Sequence, residues 1–141
     1  MIKKNFKKIF ICATEQSGDN IGKNIIQQLK KEYSYVIFDG VGGANMKSFM
    51  RNQFYSLKEF KSIGIVEVIF SIKKYINIIN KLSKIIIKEK YDLIITIDSP
   101  DFNYPLSKKI KKFGFKGKII QIVAPTVWAW RKNRAKKFSM I

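Results

Sequence analysis

Leu93-Ile-Ile-Thr-Ile-Asp-Ser-Pro-Asp-Phe-Asn103 decides how the rest of the chain is read. The almost unbroken apolar run Leu93 to Ile97 closes in the polar turn Asp98-Ser-Pro-Asp-Phe-Asn103, the pattern of a central parallel strand buried on both faces. A strand of that kind needs helices on either side, and the flanking sequence supplies them. Upstream, from Ser71 to Lys90, Ile72, Ile76, Ile79, Leu82 and Ile86 fall on one helical face, and Lys73, Asn77, Lys81, Lys84 and Lys88 fall on another. This predicts a long amphipathic helix. Downstream, Tyr104 to Phe113 reads as helix, Gly114 and Gly117 break it, and Lys118 to Val123 is a strand ending at Ala124-Pro125. Trp128 to Ile141 reads as the opening of another helix.

Further out, the same unit recurs. Phe6 to Ala13 reads as a buried first strand, and the polar, glycine-containing Thr14 to Asp19 follows as a loop. Ile21, Ile25, Ile26 and Leu29 then recur at helical spacing, with Ser17 or Asp19 as N-cap. Tyr35 to Phe38 is a short second strand ending at Asp39-Gly-Val-Gly-Gly43, and Ala44 to Arg51 a short helix. Strands and helices that alternate through short glycine-containing joints predict a doubly wound parallel α/β sheet rather than separate α and β layers. No composition break divides residues 1–141, so a single domain is expected.

Composition narrows the chemistry. The chain is 46% hydrophobic and 13% aromatic, ample for a packed core. The longest mostly apolar stretch, Ile63 to Ile72, is interrupted by Glu67 and is about half of the ~20 residues that cross a bilayer. With no signal-peptide pattern at the start either, a cytosolic chain is expected. The single Cys12 lies inside an apolar run and reads as a core residue. The absence of histidine excludes a His base and His-ligated metal. Any general base is then a carboxylate, or a lysine or tyrosine. The 28 Lys+Arg against 10 Asp+Glu give a net charge of +18. Such a field favours nucleic acid, an anionic membrane surface or phosphorylated substrates. The crowding of Lys, Ile and Asn is also what AT-rich coding produces, and no nucleic-acid recognition motif accompanies the charge.

In open parallel sheets ligands collect outside the carboxyl ends of the strands, where the loops diverge and helix N-termini face the crevice. Four strands end in unusual loops: Glu15-Gln-Ser-Gly-Asp19, Gly40-Val-Gly-Gly43, Asp98-Ser-Pro-Asp101 and Ala124-Pro-Thr126. All four are expected on one rim. Ser17-Gly18-Asp19 offers a hydroxyl, a backbone amide and a helix N-terminus to a sugar or phosphate, or else simply caps its helix. Gly42 and Gly43 lack the full dinucleotide fingerprint and serve either a ligand or a turn at positive φ. Asp98, at the partly desolvated mouth of a buried strand, is the best candidate base. Asp101 reads more as the cap of the next helix, and Asn103 as a residue that fixes the loop. Ile63 to Ile72, with seven large apolar residues of ten and Lys58, Lys61, Lys73 and Lys74 around it, is either a core element or a surface that dips into anionic headgroups.

Five segments, in order across nearly the whole chain, resemble lipid-A-disaccharide synthases. They are Thr14-Glu-Gln-Ser-Gly-Asp19, Val41-Gly-Gly-Ala-Asn-Met46, Ile63-Gly-Ile-Val-Glu-Val68, Ile97-Asp-Ser-Pro-Asp-Phe-Asn103 and Ala124-Pro-Thr-Val-Trp-Ala-Trp-Arg131. The last is especially specific, since a generic Rossmann-like domain has no reason to carry it. The resemblance implies the N-terminal, acceptor-side half of a GT-B glycosyltransferase with a Rossmann-like fold. That family joins UDP-2,3-diacylglucosamine to 2,3-diacylglucosamine 1-phosphate with inversion, giving a β-1,6 disaccharide and UDP, without a metal or other cofactor. Asp98 would deprotonate the acceptor's 6-hydroxyl. Glu15, Ser17, Gly18, Asp19 and Asn103 would line the acceptor side, with Gly42, Gly43 and Asp101 among the substrate-binding positions. The family is peripheral to the cytoplasmic face of the inner membrane. This turns Ile65, Val66, Val68, Ile69, Phe70 and Ile72 into a membrane-entering patch whose lysines meet anionic lipid and the acceptor phosphate. Thr14 and Gln16 depart from smaller residues common in the family. The chain stops soon after the Trp-Arg motif, so the nucleotide-sugar domain is expected to be missing. Transfer is then expected only with a second chain that supplies it, the rival being a non-catalytic binder of membrane surfaces or acylated sugar phosphates.

Overall fold

The computed structural model describes residues 6–61 and 65–122, the side chains of 65–70 excepted. Five strands form one sheet: β1 (Lys8–Ala13), β2 (Ile37–Gly42), β3 (Asn52–Ser56), β4 (Leu93–Ile97) and β5 (Lys118–Ile122). Their order is β3-β2-β1-β4-β5 and every pairing is parallel. The helices are α1 (Gln16–Glu32), α2 (Ala44–Lys47), α3 (Ile65–Glu89) and α4 (Pro100–Lys112), with a 3-10 turn at Leu57–Phe60. The expected doubly wound α/β sheet is therefore the fold, and its winding reverses between β1 and β4.

The period-2 alternation of a strand explains the two cores. Ile9, Ile11 and Ala13 of β1 join Leu93, Ile95 and Ile97 of β4 under Ile26 of α1 and Met46 of α2. Phe10 and Cys12 face the other way, with Ile94 of β4, against Ile79, Leu82 and Ile86 of α3 and Leu106 and Ile110 of α4. Every residue of β4 is buried. Each buried leucine or isoleucine there contributes about 1.5–3 kcal/mol of transfer free energy. Cys12 is buried as expected, and desolvation pushes its thiol pKa far up.

Several boundaries differ from expectation, each for a physical reason. β2 does not stop at Phe38 but continues through Asp39-Gly-Val-Gly42. The glycines there provide closeness rather than a turn: a Cβ on Gly40 would sit 1.8 Å from the Ile11 carbonyl oxygen. Neither Gly42 nor Gly43 has positive φ; among the described glycines only Gly114 does. The Ala44–Arg51 helix is a single turn, Ala44–Lys47, after which the chain enters β3, a polar edge strand that periodicity does not reveal. From Ile65 on, the apolar run and the amphipathic segment are one 25-residue helix. Its buried face carries Ile78, Ile79, Leu82 and Ile86, which shifts Ile72 and Ile76 to the margin, 55% and 53% exposed. Finally, α4 begins at Pro100 rather than Tyr104, because a proline suits the first helical position.

Candidate functional site

At the switch between β1 and β4 the two strands finish in register, Ala13 beside Ile97, and their following loops turn outward side by side. The helices that follow, α1 and α4, begin there. The N-cap residues Glu15 and Ser99 make no side-chain capping bond. Helix N-termini leave unpaired amides and a partial positive charge, so two of them bordering one crevice favour a ligand rich in oxygen.

The Ser99 hydroxyl links the two loops instead of capping. It receives a 2.6 Å hydrogen bond from Thr14 Oγ1 and donates at 3.3 Å to Glu15 Oε1. Glu15 is exposed, as is Ser17 in the first turn of α1. Tyr75 of α3 borders the same place: burial first, and then the Glu15 charge, raise its phenol above the usual value. Its hydroxyl donates to the Phe60 carbonyl at 3.0 Å, and its ring packs edge-on against Phe102 at the start of α4. Ser99, Thr14 and Tyr75 were not legible as site residues, since only the folded sheet brings them together.

Asp98 and Ser99 are both left-handed, with φ of 52° and 44°. For side chains with a Cβ this costs of order 1–3 kcal/mol each and persists only where neighbours over-determine it. Asn103 supplies part of the hold, its Nδ2 donating to the Ile97 carbonyl at 3.2 Å and the Asp98 carbonyl at 2.7 Å. It is thus the loop-fixing residue expected. The Asp98 carboxylate is half-buried and has no hydrogen bond or ion pair among the described residues. A half-buried carboxylate on a strained strand tip can take a proton from a bound hydroxyl.

Most of the remaining expected site residues lie beneath this surface. Asp19 is wholly buried. Its oxygens accept from the amides of Gly43 at 2.7 Å, Asn45 at 3.0 Å and Met46 at 3.1 Å. It therefore caps α2 and not its own helix, whose N-cap is Glu15. A Cβ on Gly43 would lie 2.5 Å from Asp19 Oδ2, so the loop closes only around glycine. Gly42 packs on Met46, and Gly18 rests over Ala13 and Ile97. Asp101 stands exposed in the first turn of α4. Glu15, Ser17, Asp98 and Asp101 thus form the accessible rim, and Gly18, Asp19, Gly42, Gly43 and Asn103 its support. Pro125 and the segment 124–131 lie outside the described residues, as does the side-chain patch from Ile65 to Phe70; Ile72 is exposed beside Lys73 and Lys74.

Among the described residues no three His, Cys, Asp or Glu side chains gather as a metal site, and no helix is long and apolar enough to cross a membrane. A cavity of about 370 Å³ lies away from the strand tips, between Lys30, Phe38, Ser48 and Arg51. Its cations are engaged, Lys30 with the Phe49 carbonyl and Arg51 with Asp39.

Comparison with known proteins places this architecture. The family described as Lipid-A-disaccharide synthetase matches residues 9–141. A lipid-A-disaccharide synthase of Rickettsia typhi is 41% identical over 136 residues, 96% of this chain and 36% of that protein. Its counterpart from Blochmanniella floridana is 40% identical over 134 residues, 95% of this chain and 34% of the relative. That of Chlamydia pneumoniae is 39% identical over 127 residues, 90% of this chain and 21% of the relative. The chain therefore spans about a third of the first two and a fifth of the third.

Proposed function

The chain belongs to the lipid-A-disaccharide synthase family, and on that premise we propose that it is the acceptor-side domain of the transferase, with Asp98 as the base. The observation that carries this reading is the rim at the β1–β4 switch: two uncapped helix N-termini, exposed Glu15 and Ser17, and a half-buried carboxylate on a strained turn. An acylated glucosamine 1-phosphate offers that crevice hydroxyls for Glu15 and Ser17. Asp98 takes the proton of its 6-hydroxyl. The oxygen attacks the anomeric carbon of UDP-diacylglucosamine from the face opposite UDP, the bond to UDP breaks with its electron pair, and configuration inverts. UDP contacts and closure over the reacting centre belong to a nucleotide-sugar domain, in the same protein or a second chain.

Acyl chains on both substrates place the reaction at a membrane surface. Ile72 and Ile76, exposed beside Lys73 and Lys74, support a role for α3 on the anionic cytoplasmic face of the inner membrane. This also favours the second reading, a non-catalytic binder of such surfaces. Mixing the chain with the donor-binding domain of a relative, UDP-diacylglucosamine and the acceptor tests the enzyme reading. UDP release and disaccharide formation are expected, and an Asp98→Ala protein as fast as the unmodified one removes Asp98 from the role of base. Co-sedimentation with anionic vesicles tests the surface. Ile72→Ser with Ile76→Ser is expected to weaken it severalfold, and unchanged binding would detach α3 from the membrane.

A further inference from the structure

Directly beneath the Asp98 turn, strand and helix pack polar side chains where apolar ones would be expected: Thr96 in β4, Gln121 in β5, and Asn103 and Ser107 in α4. Thr96, Asn103 and Ser107 are fully or almost fully buried. Burying such groups is unfavourable unless they are hydrogen-bonded, so this layer calls for an explanation. Thr96 and Gln121 are partners across the β4–β5 register, and the Thr96 hydroxyl meets the Gln121 side-chain oxygen. That contact leaves the amide nitrogen as the end turned to the loop. Gln121 Nε2 donates to the Asp98 carbonyl at 3.1 Å and to the Ile122 carbonyl at 3.3 Å. The Asp98 amide in turn donates to the Ile122 carbonyl at 3.0 Å.

Asn103 holds the same Asp98 carbonyl, but from only five residues away and within the helix that the turn begins. Gln121, 23 residues away, ties the turn to the neighbouring strand. Left-handed residues bearing a Cβ endure only where independent neighbours over-determine them, and these are two such neighbours. We propose that Gln121 is a positioning residue: fixed by Thr96, its amide holds the Asp98 carbonyl and keeps Asp98 and Ser99 left-handed, which sets the Asp98 carboxylate at the crevice. The catalytic consequence rests on the reading of Asp98 as the base; the effect on the turn does not.

Gln121→Glu keeps the length and the acceptor for Thr96 but loses the donor, and Gln121→Leu loses both. Two readouts apply. One is the left-handed signature of Asp98 and Ser99, from amide–Hα couplings and 13Cα shifts of the whole chain. The other is kcat and acceptor KM in the transfer mixture described above. Both variants are expected to lose the signature while amides of Lys8–Ala13 keep their shifts. With the base displaced, kcat falls about a hundredfold and acceptor KM stays within about threefold. A role limited to packing β5 would lower Tm and leave the signature in place, and that result overturns the proposal. A released turn with undiminished kcat, while Asp98→Ala is inactive, overturns it as well. If Asp98→Ala itself turns over normally, the base assignment fails, and the turn signature alone decides the role of Gln121. Should Gln121→Leu not fold, Gln121→Glu carries the same test.

Discussion

The two ends of the sheet treat charge in opposite ways. At the amino end the charges around Asp39 are paired. Arg51 pairs with the buried Asp39 through its guanidinium, Tyr91 donates to Asp39 at 2.7 Å, and Lys8 meets Glu89 at 2.8 Å. Asp92 accepts from the amides of Lys7 and Lys8. At the carboxyl end two non-glycine residues are left-handed, two helices begin without side-chain caps, and the Asp98 carboxylate stands without a partner among the described residues. The amino end has one left-handed residue of its own, Lys90 with φ of 55°, beside its paired charges, whereas the carboxyl end joins two such residues in one turn to uncapped helix starts, the arrangement expected when ligands bind at strand tips.

Substitutions on the two ends should therefore behave differently. The largest effect falls on chemistry. Asp98→Asn, in the transfer mixture, is expected to lower the rate by about 10²–10⁴-fold, the range of a lost general base, with unfolding free energy changed by no more than about 0.5 kcal/mol. Thermal or urea unfolding beside the rate measurement checks both, and a large loss of stability would merge the two ends into one role. Next comes Asp39→Ala, which removes the acceptor shared by Arg51 and the Tyr91 hydroxyl and leaves Arg51 only Glu89, at 3.7 Å. About 3 kcal/mol of destabilisation is expected, the low end for a broken pair because the Arg51 side chain is 42% exposed and can turn to water.

The same pair predicts the response to acid. Burial alone would raise the Asp39 carboxyl, but the Arg51 and Tyr91 hydrogen bonds, the Arg51 charge and the Asn52 amide outweigh it and hold its pKa below the usual range. A carboxyl depressed on folding contributes stability that is complete above its unfolded value near 3.9 and is lost as pH falls through the folded value. The acid limb of a stability–pH curve should shrink in Asp39→Asn, and an unchanged limb would assign acid sensitivity to other groups. The smallest of these effects is at Gly43. Gly43→Ala drives a Cβ into the Asp19 carboxylate and uncaps α2, an expected loss of about 1–2 kcal/mol in urea unfolding. A neutral result would mean that the clamp yields at no cost.

How much of this was legible in the sequence follows the range of the forces involved. β4 is legible to the residue because five buried residues in a row carry their own signal. The second half of β2 is not legible, because Asp39-Gly-Val-Gly looks like a turn until Arg51, twelve residues on, neutralises Asp39. The polar edge strand β3 has no periodicity to read. The site shows the same limit. Asp98, Glu15 and Ser17 follow from strand ends, and their place on one rim follows from the topology. The duty of Asp19 to another helix, the Thr14–Ser99–Glu15 bridge and the hold of Gln121 on Asp98 depend on contacts across the sheet that spacing does not encode.

The central claim is that the β1–β4 switch, and not the charge-paired end, receives the acylated glucosamine phosphate. Titrating the 15N-labelled chain with diacylglucosamine 1-phosphate in mild detergent, followed by amide shifts, tests it most directly. Saturable shifts are expected at Glu15, Ser17, Gly18, Asp98 and Ser99, with the amides of Lys8, Asp39 and Arg51 unmoved. Shifts centred on Lys8, Lys30 and Arg51, or none at the switch at saturating lipid, would contradict it.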